Sequence, residues 1–431
     1  NNWFGRDFNK ILFSEILAQT MLDVLGREKF QRGRNKTRRE RENMLLIKNA
    51  TVYAPEPLGV KDIFLAGGKI CAIRDSIAPG PDLPVEVVDG TGQLLLPGFI
   101  DSHVHILGGG GEGGYRSRTP ELKLSDMIRA GTTTVVGCLG TDGITRRMEN
   151  LIAKAKQLKD EGVSCYIYTG SYDVPVRTFL ADIRSDLLFI DEVIGVGEIA
   201  IADHRSSQPT FEEFVRIVAD TRVGGMLSGK GGVVNIHMGD DGQMLEYLER
   251  VKVETPLPAY HMIPTHMNRN PLLFERGITY AKGGGYVDFT TSSYASFQED
   301  GELKSSDGLK KMLDAGVPIE HITFSSDGQG SLPVFNREGE NIDVQVARVD
   351  TLYQEVRDAV RQENIPLETA LRTITSNVAD HLRLSHKGRV REGNDADLVL
   401  ADPDTLEIQT VIARGQIMLR DGELLVKGSF E

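Results

Sequence analysis

The chain is 431 residues long, 40% hydrophobic and 26% charged, with a formal net charge of −13. That mix excludes disorder or a collagen-like repeat for the bulk of the chain, and the negative charge argues against nucleic acid or an anionic membrane as the main partner. No run of about 18 uncharged apolar residues is present, which argues against a membrane-spanning helix.

Residues 1–43 differ from the rest. They carry ten Lys/Arg against six Asp/Glu, a local +4 that leaves −17 for residues 44–431. Apolar residues recur at helical spacing from Ile11 to Leu25, but Glu15 and Asp23 spoil any signal-peptide core. The run RGRNKTRRERE that follows is a solvated charge run with no apolar face. Taken alone it would suit a nucleic-acid arm. A disordered or non-native basic and helical extension, dispensable for catalysis, is the reading favoured, because Met44 opens a fresh strand-like run.

From Met44 to about Leu96 the runs LLIKNATVYA, DIFLAGGKICAI and VEVVDGTGQLLLPG are separated by turn residues such as Gly67-Gly68. The C-terminal NDADLVLAD and IQTVIARGQIMLRDGELLVKG have the same texture. A small β-sandwich domain assembled from both chain ends, 44–97 and 386–431, is therefore expected. Between them, residues 98–385 hold eight strand-like runs: GFIDSHVH, TTTVVGCLG, VSCYIYTG, EVIGVGEIAI, GVVNIHMG, AYHMIPTHM, GYVDFTTS and HITFSSDG. Amphipathic segments such as RMENLIAKAKQLKDEG and FEEFVRIVADTR separate them. Strands alternating with helices imply parallel βαβ units, and eight units in about 290 residues match a catalytic (β/α)8 TIM-type barrel of the α/β class.

His103 and His105 close the first run. Residues i and i+2 of a strand face the same way, so both imidazoles can reach one point. A lone His-x-His is weak evidence, but Glu198, His237, His266 and Asp327 hold corresponding places in the fourth, fifth, sixth and eighth runs. Barrel strand ends converge on one mouth, so four histidines and two carboxylates there make a donor set for a pair of divalent cations. The three cysteines, Cys71, Cys138 and Cys165, are too few and too scattered for a disulfide framework or a thiolate metal site. They read as reduced, mostly buried thiols of a cytoplasmic protein.

These segments, with HVHILGGGGEGG, LGTDGITR, TGSYDVP, ADHRS, THMNRNPLLFE and SSDGQGS, resemble the amidohydrolase superfamily and within it the isoaspartyl (β-aspartyl) dipeptidases. The resemblance covers essentially all of residues 44–431. It implies a binuclear Zn2+ site, two ions per chain, cleaving dipeptides linked through the aspartate side chain. By that resemblance His103 and His105 bind the more buried ion, while His237 and His266 bind the other. Asp327 ligates a metal and serves as general base and acid around attack by a metal-activated hydroxide. Tyr172 stabilises the oxyanion, Glu112 pairs with the substrate ammonium, and Arg205 and Arg269 hold the carboxylate of the leaving residue. Thr141 and Ser331 bond the aspartyl α-groups, with Gly110 offering backbone. A large homo-oligomer such as an octamer is also implied.

One position departs from the pattern. Better-known members bridge the metals with a carboxylated lysine on the fourth strand, whereas this chain has Glu198 there and no lysine nearer than Lys159 and Lys230. A glutamate bridges without bicarbonate, on an arm three bonds shorter. From the residues themselves, glycines 108–111 allow a close backbone approach to a ligand, and arginine forks suit carboxylates. Without the resemblance, Glu112 reads as a solvated loop residue and Tyr172 as packing. The rival activities are an N-acyl-amino-acid deacylase or a cyclic-amide hydrolase, although a cyclic imide carries no ammonium for Glu112. A catalytically dead structural relative is disfavoured because every ligand position is occupied.

Overall fold

The computed structural model describes residues 44–80, 84–293, 295–299, 301–335 and 341–431. The basic extension 1–43 and its expected dispensability lie outside the described residues.

Eight parallel strands form the barrel: β1 (Phe99–Val104), β2 (Thr132–Gly137), β3 (Ser164–Thr169), β4 (Val193–Ile201), β5 (Val233–Met238), β6 (Met262–Thr265), β7 (Val287–Thr290) and β8 (Ile322–Ser325). They coincide with the eight runs expected from sequence. β1 to β6 make one parallel sheet in sequence order, and β7 pairs with β8. Two seams close the ring. Between β8 and β1, the His105 amide donates to the Gly328 carbonyl at 2.8 Å. Between β6 and β7, the Met267 amide donates to the Asp288 carbonyl at 3.1 Å, and the Asn268 side chain adds two bonds, accepting from the Thr290 amide at 2.9 Å and donating to its carbonyl at 3.0 Å. The strands are buried on both faces, as parallel strands covered by helices must be; all nine residues of β4 are buried.

The intervening helices follow from their sequences. In Phe211–Ser228, Thr210 and Glu213 form a reciprocal capping box, and Gly229 ends the helix in left-handed conformation. Helix Thr351–Arg361 buries Leu352, Tyr353, Val356 and Ala359, one helical stripe against the core. Asn270 caps helix Pro271–Lys282, accepting from the Leu273 amide, so the chain leaving Arg269 has a fixed direction.

The two chain ends share one hydrogen-bonded sheet of nine strands. Strand Leu94–Pro97 pairs antiparallel with Leu398–Ala401, joining the N-terminal and C-terminal contributions. Strand Met44–Tyr53 changes neighbour at Asn49, whose φ is 58°. Its first half lies beside Val85–Asp89 and its second beside Leu94–Leu95. The sheet wraps one apolar core that includes Leu45, Ile63, Leu95, Leu398 and Ile412. A hairpin not expected from sequence, Ser331–Phe335 with Asn341–Val346, follows β8 and starts at the barrel mouth. Among the described residues no helix is long and apolar enough to cross a membrane.

Candidate metal centre and active-site cleft

The barrel brings the six expected ligand residues to one point. His103 lies in β1 and His105 one residue beyond it, and both are buried. Glu198 projects from β4 between two pairs of imidazoles, and its two oxygens are divided between them. Oε2 lies 3.4 Å from His103 Nε2 and 3.8 Å from His105 Nε2. Oε1 lies 2.8 Å from His237 Nδ1 and 3.2 Å from His266 Nε2. Asp327 Oδ1 completes the first group, 3.0 Å from His105 Nε2 and 3.5 Å from His103 Nε2.

His266 and Asp327 share a backbone peculiarity. Each sits just past its strand in left-handed conformation, with φ of 62° and 54°. Non-glycine residues held there cost about 1–3 kcal/mol each, a strain that collects where a side chain must be aimed. Here it turns both side chains into the mouth.

The donor set fits divalent cations. Both ring nitrogens of His103, Glu198 Oε2 and Asp327 Oδ1 are buried and have no hydrogen-bond partner. Buried polar atoms without partners are costly, and one cation would satisfy His103 Nε2, Glu198 Oε2 and Asp327 Oδ1 together. Two groups of ligand atoms, each within 4.8 Å of one another, meet at Glu198: His103, His105 and Cys138 on one side, His237 and His266 on the other.

Cys138 corrects the reading of the thiols as too scattered for a metal site. It follows β2 by one residue, as His105 follows β1, and barrel pairing places it beside the histidines with Sγ 3.8 Å from His105 Nδ1. Cys71 and Cys165 belong to neither group.

Neighbours outside the ligand set hold it in place. Asp203 Oδ2 lies 2.8 Å from His237 Nε2, leaving Nδ1 turned toward Glu198. Burial works against ionisation of Asp203, but hydrogen bonds from His237 and Arg205 outweigh it and hold the carboxyl well below the ordinary range. His266 Nδ1 is 2.6 Å from Thr290 Oγ1. Deeper in the barrel, Asp288 accepts from Thr265, Thr323 and Ser325, and Asp101 accepts from Ser326. Burial pushes Asp101 up to about 7 despite those bonds. The sequence reading gave none of these residues a role. Asp203 alone had a signal, its place two residues before Arg205.

Above the ligands opens a cleft of about 800 Å³ lined by Gly110, Glu112, Thr141, Tyr172, Arg205, Arg269 and Ser331. All seven expected substrate-binding residues therefore share it. Glu112 accepts from Thr141 Oγ1 and from Ser331 Oγ, both at 3.0 Å, and Arg205 Nη1 is 3.6 Å away. Gly110 has φ 75°, and a Cβ there would meet the Ser117 carbonyl at 2.4 Å, so the loop that carries Glu112 requires glycine. Tyr172 OH is 2.8 Å from His237 Nδ1. The guanidinium groups of Arg205 and Arg269 each come within 3.1 Å of His237 Nε2, and Arg205 also bonds both oxygens of Asp203.

Glu302 lines the same cleft, and burial pushes its carboxyl up to about 7, against a hydrogen bond from Ser293 and the charge of Arg269. A carboxyl whose folded-state value is raised holds its proton more tightly when folded. Its contribution to stability is therefore present at low pH and lost as pH rises from about 4.5 to about 7. Glu302→Gln is expected to flatten that loss, read as the difference between urea midpoints at about pH 5 and about pH 7.5. An unchanged difference would place the titration elsewhere.

The model of the amidohydrolase family matches residues 94–418. The chain is similar to two crystal structures of the β-aspartyl dipeptidase from the keratin-degrading Fervidobacterium islandicum AW-1. One, in complex with the β-Asp-Leu dipeptide, is 47% identical with a TM-score of 0.82, covering 88% of this chain and 98% of that one. The other is 46% identical with a TM-score of 0.80 over the same shares. Adenine deaminase 2 of Rhizobium etli is 26% identical over 384 residues, 84% of this chain, and the match spans only 54% of the deaminase.

Proposed function

Because the chain belongs to the amidohydrolase family, on a match from residue 94 to residue 418, we propose that it hydrolyses β-aspartyl dipeptides at a centre for two Zn2+ ions. The observation that carries the reading is the charge pattern of the cleft. Glu112 and the guanidinium groups of Arg205 and Arg269 stand beside a centre where Glu198 divides its oxygens between two histidine pairs, and Asp203, Asp240, Asp241 and Glu302 line the same cleft. A β-aspartyl dipeptide, with one ammonium and two carboxylates, offers partners to Glu112 and to the guanidinium groups. The 47% identity to a β-aspartyl dipeptidase supports it.

In this reading His103, His105 and Asp327 would hold one ion, His237 and His266 the other, and Glu198 both. When bound, the ions would polarise the scissile carbonyl and lower the pKa of water to about 7, supplying a nucleophile at neutral pH. Glu112 receives the substrate ammonium, its carboxylate held by Thr141 and Ser331. Arg269, with Nη1 of Arg205, whose Nε and Nη2 are bonded to Asp203, takes the carboxylate of the leaving residue. Asp327 accepts the proton of the attacking water and returns it to the leaving amine. The Tyr172 hydroxyl donates to the carbonyl oxygen as negative charge gathers on it; burial raises the phenol well above its ordinary range, so it keeps its proton to donate.

The test of the activity is hydrolysis of β-Asp-Leu beside α-Asp-Leu by zinc-loaded protein. Cleavage of the β-linked isomer alone is expected. Cleavage of neither, with ions bound, would overturn the reading in favour of an N-acyl-amino-acid deacylase or a cyclic-amide hydrolase. Tyr172→Phe is expected to lower kcat by about 10²–10³ with little change in KM. A near-normal kcat would return Tyr172 to packing against His237.

A further inference from the structure

We propose that Cys138, as a thiolate, is a ligand of the ion held by His103 and His105. The inference rests on the cation centre proposed above and adds a sulfur donor to it. Cys138 is fully buried, and its amide donates to the Val104 carbonyl at 3.0 Å, which fixes the residue beside the His103-Val104-His105 turn. Ligand atoms of His103, His105, Cys138 and Glu198 lie within 4.8 Å of one another. A tetrahedral arrangement with nitrogen and oxygen at about 2.0 Å and one sulfur at about 2.3 Å has edges of about 3.3–3.5 Å, so closure asks each atom to move by less than about 1 Å.

The unpartnered atoms point the same way. Both nitrogens of His103 and Oε2 of Glu198 are buried with no hydrogen-bond partner, and the Cys138 thiol shares their space. The thiol's own contacts are weak: 3.7 Å to the Val104 carbonyl and 3.8 Å to His105 Nδ1. Cys138 also belongs to the apolar cluster of Ile100, Val136, Tyr168 and Ile194. With Asp327 already on this side, Cys138 would be the fifth donor, a number that zinc accepts. On binding, the S–H bond breaks, the sulfur lone pair goes to the ion, and the proton leaves to solvent, with no change of oxidation state.

The chain has three cysteines. A Cys71→Ser/Cys165→Ser variant therefore keeps Cys138 as its one thiol. X-ray absorption of this variant loaded with Zn2+ is expected to require a sulfur neighbour at about 2.3 Å. Loading it with Co2+ is expected to give an intense near-ultraviolet sulfur-to-cobalt charge-transfer band. Cys138→Ser in the otherwise native chain should lose the band while still taking up cobalt. A zinc shell of nitrogen and oxygen alone, or a cobalt-loaded protein without the band, overturns the inference even if Cys138→Ser fails to fold. The two proposals fail separately. β-Asp-Leu hydrolysis without metal–sulfur signals would remove the thiolate ligand and leave the dipeptidase. The signals without hydrolysis would do the reverse.

Discussion

Asp327→Asn is expected to leave a folded protein whose kcat for β-Asp-Leu is lower by about 10³–10⁴, the upper part of what general acid–base catalysis supplies. The substitution keeps the shape of the side chain and removes its capacity to take a proton. Asp327 Oδ1 is the atom at stake, buried, without a hydrogen-bond partner and 3.0 Å from His105 Nε2. The left-handed backbone at this position is tolerated by asparagine at least as well as by aspartate, so misfolding is not the expected outcome. Because the lost step belongs to the transition state, kcat and kcat/KM should fall together. Metal content measured on the same preparation separates loss of the base from loss of an ion. Turnover within about tenfold of the parent, with metal content unchanged, would assign the proton transfer to another group.

The second large effect is expected at Glu198. Glu198→Gln keeps one oxygen and replaces the other with an NH₂ group that has no lone pair for a cation. One of the two histidine pairs then loses its carboxylate, and bound metal should fall from about two equivalents per chain to about one, with turnover falling by about 10² or more. Elemental analysis after zinc loading and gel filtration reads the first number, and β-Asp-Leu hydrolysis the second. A parent protein that retains less than about one equivalent would overturn the two-ion centre itself.

The features legible in the sequence are those set by short-range pattern. Alternation made His103 and His105 neighbours before any fold was known, and the eight apolar runs separated by amphipathic segments gave the barrel and so its mouth. Glu198, His237, His266 and Asp327 followed from their places in those runs, and the family resemblance supplied their expected roles. What escaped was contact across the ring. Asp203 meets His237 only because β4 and β5 are adjacent with their ends level, and Cys138 meets His105 only because β2 flanks β1. Asp101 and Asp288 sat in runs already read as apolar strands, where a single carboxylate carries no periodic signal. The hairpin starting at Ser331 did carry a turn signal, Asn336 and Gly339 between two apolar runs, which was passed over because the eight barrel runs already accounted for the fold.

The seam between β8 and β1 has a consequence for how the molecule comes apart. There the His105 amide meets the Gly328 carbonyl, and the side chains of His105 and Asp327 face each other immediately beside that bond. An ion shared by them would act as a removable link between residues far apart in the chain, stabilising the folded state because only that state holds the ligands together. Since binding to the folded state alone is linked to folding, stripping the ions should loosen the barrel first along this line. The amides of β1 and β8 would then exchange with solvent sooner than those of β3 and β4, which lie on the other side of the ring.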